Sequence, residues 1–185
     1  VNRGFTLIEL MVVLVLVAVF TLIGIPSYRS ITTTNRMATE MNAFVGDLQF
    51  ARSEAIKRGY DVSMCPANPA VSPPTPTAPN CLAANTTRWT NGWVVYAPPF
   101  GGNATSVLRI QAAMQGGDSL VSNAAAGAAV TFNRNGFTTN GQTVALDNQG
   151  QSNVESPCAV ISTVGRVRAG KIQKSQPIQA SNCKQ

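Results

Sequence analysis

Histidine is missing from the 185-residue sequence, which removes Ser-His-Asp and Cys-His catalysis and any histidine-ligated metal. The four cysteines, separated by 16, 77 and 25 positions, contain no C-x₂₋₄-C pair, so a Cys₄ metal site is not expected either. The remaining carboxylates and hydroxyls converge nowhere along the sequence. No enzyme and no cofactor is therefore expected. Acidic residues are absent from 156–185, a stretch that carries Arg166, Arg168, Lys171, Lys174 and Lys184. Residues 1–155 hold the other nine basic and all eight acidic residues, a net of +1, so nearly all of the formal +6 lies at the C-terminal end. Such asymmetry suggests a local patch for nucleic acid or an anionic surface; the plainer reading is a solvated basic edge. The same stretch holds no aromatic side chain, so base stacking is not expected within it. The length fits one domain with enough chain to bury a core.

Charge is also absent from residues 10–25, LMVVLVLVAVFTLIGI, where Thr21 is the one polar side chain. Extended back to Phe5, the run is long enough as a helix to cover roughly 30 Å, one bilayer core. A buried core helix would show a polar stripe, and a cleaved secretory signal would close with a small-residue pattern such as A-x-A; neither is present. The membrane reading is preferred. Glu9 stands inside this run, and a carboxylate in an apolar helix is a functional candidate by default, at a cost of about 2.5–3.5 kcal/mol at mid-bilayer. A cation at the N-terminus of a neighbouring chain is its natural partner.

Gly4-Phe5-Thr6-Leu7-Ile8-Glu9-Leu10, preceded by Arg3 and followed by the apolar run, resembles the class III signal of type IV pilins and type II secretion pseudopilins. That resemblance implies cleavage after Gly4 by a prepilin peptidase and methylation of the new N-terminal Phe5. It also implies that Glu9 neutralises the N-terminal amine of a neighbouring subunit during assembly. Only Val1–Gly4 of a leader are present, without an initiator Met, so the chain is expected to be truncated at its start or renumbered.

Gly24 and Pro26 predict a kink or a locally unwound stretch. Beyond them Met37, Met41, Phe44, Leu48, Ala51 and Ala55 follow steps of four and three, a helix face meant for burial. Glu40, Asp47, Arg52 and Glu54 fall off this stripe, and Glu54 can pair with Arg58 four residues on. Gly59 is a stop signal. One long helix is expected over residues 5–58. Its second half is too short for a convincing coiled coil, and its terminal alanines suit close packing on a sheet. Short β-rich runs divided by Gly, Asn and Pro follow, with strands expected at 60–65, 93–97, 107–112, 129–133, 143–147, 159–164 and 166–172. Residues 116–128 carry no clear pattern. The fold class is α+β.

Four cysteines behind a membrane anchor suggest export and disulfides. Three pairings are possible, of which Cys65–Cys81 and Cys158–Cys183 are favoured. The first would close a loop with six prolines in fifteen residues; the second would tie down the basic tail. Each bond is worth about 2–4 kcal/mol.

Ala51-Arg52-Ser53-Glu54-Ala55-Ile56-Lys57-Arg58-Gly59, Trp89…Gly92-Trp93, Val130-Thr131-Phe132…Gly136 and Gly165-Arg166-Val167-Arg168 together resemble the GspH/FimT/FimU family of minor pilins and pseudopilins. The resemblance implies the long helix packed on two antiparallel β-sheets. It divides the chain into a leader remnant (1–4), a transmembrane and filament-core half-helix (5–28), an amphipathic periplasmic half-helix (29–59) and a β-rich globular domain with a basic tail (60–185). It also implies a single-pass inner-membrane protein with its globular domain in the periplasm, assembled with major and minor pilins near the pilus tip. In the FimT branch the G-R-x-R motif is tied to DNA binding for natural transformation. Arg166 and Arg168, about 6.6–7 Å apart along a strand and on one face, suit DNA phosphates bidentately, and Lys171 and Lys174 would extend the patch. Binding of that kind is sequence-independent and salt-sensitive. The alternative is a structural subunit, a pilus-priming minor pilin or a GspH-like pseudopilin, in which the arginines decorate a sheet. The run 165–172 also fits the start of a Walker A loop, but Ile172 stands where a Ser/Thr must hold Mg²⁺. Two N-x-T sequons, at Asn85 and Asn103, are too common to interpret.

Overall fold

The structure is a computed structural model, described for residues 4–68, 79–82, 87–99, 101, 105–124, 129–148, 154–173, 179 and 182–184. Helix α1 (Leu7–Arg58) is followed by β1 (Val62–Pro66), β2 (Trp93–Ala97), β3 (Ser106–Gln111), a 3₁₀ turn (Gln115–Gly117), β4 (Ser119–Ser122), β5 (Val130–Phe132), β6 (Gln142–Asp147), β7 (Ser156–Ile161) and β8 (Val167–Ile172). The strands form two four-stranded sheets, ordered β3-β2-β1-β5 and β4-β6-β7-β8. Every pairing is antiparallel. The chain is α+β, one long helix and two antiparallel sheets. It divides into two compact units, Val1–Arg36 and Met37–Gln185.

In the first unit α1 starts at Leu7, two residues later than expected. Thr6 explains the difference: its hydroxyl accepts the backbone N–H of Glu9 at 3.3 Å and its carbonyl accepts that of Leu10, the arrangement of an N-cap. The side chains from Gly4 to Leu22 are all exposed, and this helix is long and apolar enough to cross a membrane. Helix α1 continues through Gly24 and Pro26, so of the kink or unwound stretch expected at that pair, the unwound stretch does not form. Proline withholds one hydrogen bond, and the bonds on either side carry the helix past it.

The second unit is built on the stripe Met37, Met41, Phe44, Leu48, Ala51 and Ala55, all buried. The same cluster takes Val62, Met64, Trp93 and Val95 from the first sheet and Leu120, Val144, Leu146 and Ile161 from the second. The periodicity of four and three puts these helix residues on one face, and alternation in each strand supplies the opposing one. Phe44 meets Trp89 and Trp93 edge-on, with ring centroids 5.4 and 5.3 Å away, a geometry that matches positive ring edges to negative faces.

Asp47 is the departure from the pattern. The sequence places it off the apolar stripe, yet it is only 4% exposed. Its carboxylate accepts the Trp93 Nε1–H at 2.8 Å and pairs with Arg109, whose guanidinium lies 4.3 Å over the Phe50 ring. A buried carboxylate is tolerated because each oxygen has a donor. The group fastens α1 to β2 and β3.

The strand boundaries teach a second lesson. β4 lies within the Ser/Gly/Ala-rich stretch that carries no clear sequence pattern, because sheet pairing with β6 outweighs weak local propensity. The strand expected over 159–164 is displaced to Ser156–Ile161, and β8 begins at Val167 rather than Arg166. Thr163 and Val164 are β-formers by propensity, but they sit in the turn that joins β7 to β8.

Candidate functional site

Two regions carry the residues singled out from the sequence: the start of α1 and the β7–β8 hairpin. At the first, Gly4 and Phe5 precede the helix and are exposed. Glu9 lies in the first turn of α1, where a carboxylate also complements the helix dipole. Its side chain is exposed and forms no ion pair among the described residues.

The hairpin is fixed by its turn. The Gly165 N–H donates to the Ser162 carbonyl at 2.8 Å, and the Ser162 N–H donates to the Arg166 carbonyl at 3.0 Å. The Ser162 hydroxyl bonds both polar backbone groups of Arg166. Gly165 has φ 72°, a conformation that glycine adopts at little cost. A Cβ there would also collide with the Gly136 carbonyl oxygen. The first residue of the G-R-x-R run is therefore required by backbone packing. Arg52 completes the contact: its Nε donates to the Gly136 carbonyl at 3.0 Å and its Nη2 reaches the Val164 carbonyl at 3.5 Å. Three sequence segments that look separate, around Arg52, Gly136 and Gly165, thus meet at one clasp. Arg52 was missed as a structural residue because lying off the apolar stripe suggests solvent.

Arg166 and Arg168 are both exposed. Arg166 lies at the end of the turn, and Arg168 sits on β8 opposite Val160. The four-residue basic patch does not hold together as expected. β8 alternates, so Lys171, paired with Pro157, lies on the face opposite to Arg168, which shares its side with Gly170 and Ile172. Lys171 also pairs with Glu155 at 3.2 Å. Lys174 lies outside the described residues.

Both cysteine pairs are bonded, Cys65 to Cys81 and Cys158 to Cys183. The first joins β1 to residues 80–82, which run beside the end of that strand through the Asn68 N–H to the Asn80 carbonyl and the Leu82 N–H to the Pro66 carbonyl. The proline-rich loop between them falls largely outside the described residues. The second bond holds the tail on β8, where Lys184 and Lys171 exchange backbone hydrogen bonds at 2.9 and 3.1 Å. Gly170 makes room for this strap: a Cβ would meet the Lys184 carbonyl oxygen and, at 3.0 Å, the Cys183 Sγ. An open cleft bordered by Tyr60, Asp61, Pro98, Asn133 and Arg134 contains one carboxylate and no nucleophile–base pair of the kind covalent catalysis needs.

Comparison with known proteins decides the family. The family described as "Type II transport protein GspH" matches residues 40–165, most of the chain. The chain belongs to the GspH family. It is a pilin-like protein of the minor pilin and pseudopilin group, and members of this group are structural subunits. The prokaryotic N-terminal methylation motif matches residues 1–25. No curated protein matches this GspH-family chain. Two crystal forms of the type IV minor pilin FimU of Pseudomonas aeruginosa (strain PAO1) are similar in fold. One has a TM-score of 0.53 at 20% identity, over 85% of this chain and 97% of that one. The other has a TM-score of 0.50 at 21% identity, over 80% and 95%. At such identities the likeness concerns the fold.

Proposed function

We propose that this GspH-family protein is a membrane-anchored minor type IV pilin whose β7–β8 hairpin captures DNA for uptake. Cleavage after Gly4 and methylation of Phe5 by the prepilin peptidase release residues 5–28 as the transmembrane and filament-core half of α1. Residues 29–59 then form the periplasmic half and 60–185 the globular domain. Residues 1–4 are what remains of the leader. Assembly moves the subunit from the inner membrane into the pilus among other pilins, and Glu9 pairs with the N-terminal amine of a neighbour. The exposed carboxylate in the first turn, with no ion pair among the described residues, supports that role, since a charge in an apolar helix costs several kcal/mol unless it finds a partner.

The observation that carries the DNA reading is the exposure of Arg166 and Arg168 on one hairpin. Arginine forks match phosphate oxygens two at a time. Two such contacts give binding without sequence preference that weakens as salt rises. The test is the affinity of the full chain in detergent for DNA at low salt, with and without Arg166→Gln plus Arg168→Gln. A large loss in the double variant is expected. No binding by the wild type, or equal binding by both, would sink the reading.

A structural role without DNA is the second reading, favoured by the FimU likeness and by the name of the matching family. On that reading the protein primes pilus assembly or serves a type II secretion system. Its deletion then reduces piliation or secretion, while the hairpin double variant restores both.

A further inference from the structure

The C-terminal stretch carries no aromatic residue, but the fold brings one beside the turn that precedes Arg166 and Arg168. Residues 133–138, between β5 and β6, run beside the β7–β8 turn. The Thr138 N–H donates to the Thr163 carbonyl at 2.9 Å, and the Gly136 carbonyl packs on Gly165. That register sets Phe137 opposite Val164, two residues before Arg166.

Phe137 is 46% exposed, an unusual position for a phenylalanine, and Val164 beside it is 53% exposed. Its backbone is nonetheless fully held. The Asn133 side-chain oxygen accepts the N–H groups of Asn135 and Phe137 at 2.9 and 3.1 Å, and the Asn133 N–H donates to the Phe137 carbonyl at 2.9 Å. The ring is thus presented from a fixed turn, so little order need be imposed on binding. Charge completes the picture. Residues 133–141 and 162–170 contain Arg134, Arg166 and Arg168 and no acidic residue. Ile56, whose side chain lies against Gly136, adds apolar surface on the helix side.

We infer that Phe137 is a base-stacking residue and that the preferred ligand of this site is single-stranded nucleic acid, its phosphates on Arg166 and Arg168 and one unstacked base on the ring. The inference rests on the DNA-binding reading above. Every base has a π-face, so an aromatic platform beside cations is sequence-tolerant. In a duplex the bases are stacked on one another, and the ring gains nothing comparable. The apolar surroundings would also suit a neighbouring pilin subunit, but the exposed Arg166 and Arg168, on a hairpin segment (162–170) with no acidic residue, favour a polyanion.

The experiment measures fluorescence anisotropy of a labelled single-stranded oligonucleotide and of its duplex with the full chain in detergent. The variants are wild type, Phe137→Ala, Phe137→Leu, Phe137→Trp and the Arg166→Gln plus Arg168→Gln pair. Phe137→Ala and Phe137→Leu are expected to weaken single-strand binding roughly tenfold, to change duplex binding far less, and to leave the salt slope unaltered. Phe137→Trp keeps or raises the affinity. Phe137→Leu preserves apolar bulk, so its loss of binding with an unchanged unfolding midpoint separates stacking from folding. Wild-type single-strand affinity in Phe137→Leu, with loss in the arginine pair, overturns the stacking inference and leaves DNA binding standing. The same result with reduced recovery of a neighbouring pilin assigns the surface to subunit contact instead. Absence of any nucleic-acid binding by the wild type overturns the DNA reading and the stacking inference together.

Discussion

The two stretches of α1 share one backbone conformation and almost nothing else. Residues 7–22 leave every side chain exposed, whereas from Met37 onward every third or fourth residue is buried. The first stretch is apolar on nearly every side, the pattern that a helix surrounded by bilayer or filament requires. The second is apolar on one stripe because the two sheets cover one side. Helical propensity does not distinguish them; the environment each face meets does. The contrast also separates tasks. Glu9, the residue proposed for assembly, lies where no core depends on it, and fold-defining residues such as Phe44 and Asp47 lie where substitution is costly.

The contrast is tested most severely by truncating one large side chain in each stretch. Phe44→Ala removes a fully buried ring between Trp89 and Trp93 and is expected to destabilise the 37–185 unit by about 3–5 kcal/mol. Leu14→Ala is expected to leave it unchanged within about 0.5 kcal/mol. Denaturant unfolding of the full chain in detergent, followed by tryptophan fluorescence, measures both. Equal effects would break the division.

A smaller effect is expected at Asp47. Asp47→Ala leaves the buried Trp93 N–H without an acceptor and Arg109 without its carboxylate, at a cost of about 1–3 kcal/mol. Asp47→Asn keeps an acceptor and recovers part of that loss in the same unfolding experiment. Full stability of the alanine variant would mean that the ion pair and hydrogen bond contribute nothing net.

Smaller again is Glu54, which pairs with Arg58 at 2.7 Å and Lys57 at 3.5 Å on the solvent side of the second stretch. The Arg58 hydrogen bond holds its carboxyl below the ordinary value; burial pushes the other way and the Lys57 charge assists. A lowered folded-state pKa makes the contribution fully present above the unfolded value, about 4.3. It is lost as pH falls through the lowered folded value. Glu54→Gln should cost a few tenths of a kcal/mol near neutral pH and nothing in strong acid, read from unfolding midpoints across pH.

Glu9→Ala is expected to have no effect on unfolding or on membrane insertion while reducing incorporation into filaments. Normal filament incorporation would remove the proposed pairing with a neighbouring N-terminus.

Much of this division was legible in the residues. Spacing in steps of four and three named the six buried helix residues from Met37 to Ala55, and an uncharged run named the stretch long and apolar enough to cross a membrane. Both are local patterns, and a helix displays them directly. Asp47 and Arg52 were not legible, because each lies off the stripe and its partners, Trp93, Arg109, Gly136 and Val164, are distant in sequence. At the candidate site the two arginines could be read from the motif. That Lys171 faces away from Arg168 followed only from the place where the turn ends and β8 begins.

By itself the sequence determined which helix stretch is apolar throughout and which on one stripe, the α+β class and the positions of the arginines, since these rest on composition and on periods of a few residues. Tertiary structure alone decided which of the basic residues share a surface, why Gly165 must be glycine, and that Phe137 stands beside the hairpin. Those facts depend on strand register and on backbone approaches between segments far apart in the chain, and no local pattern encodes either.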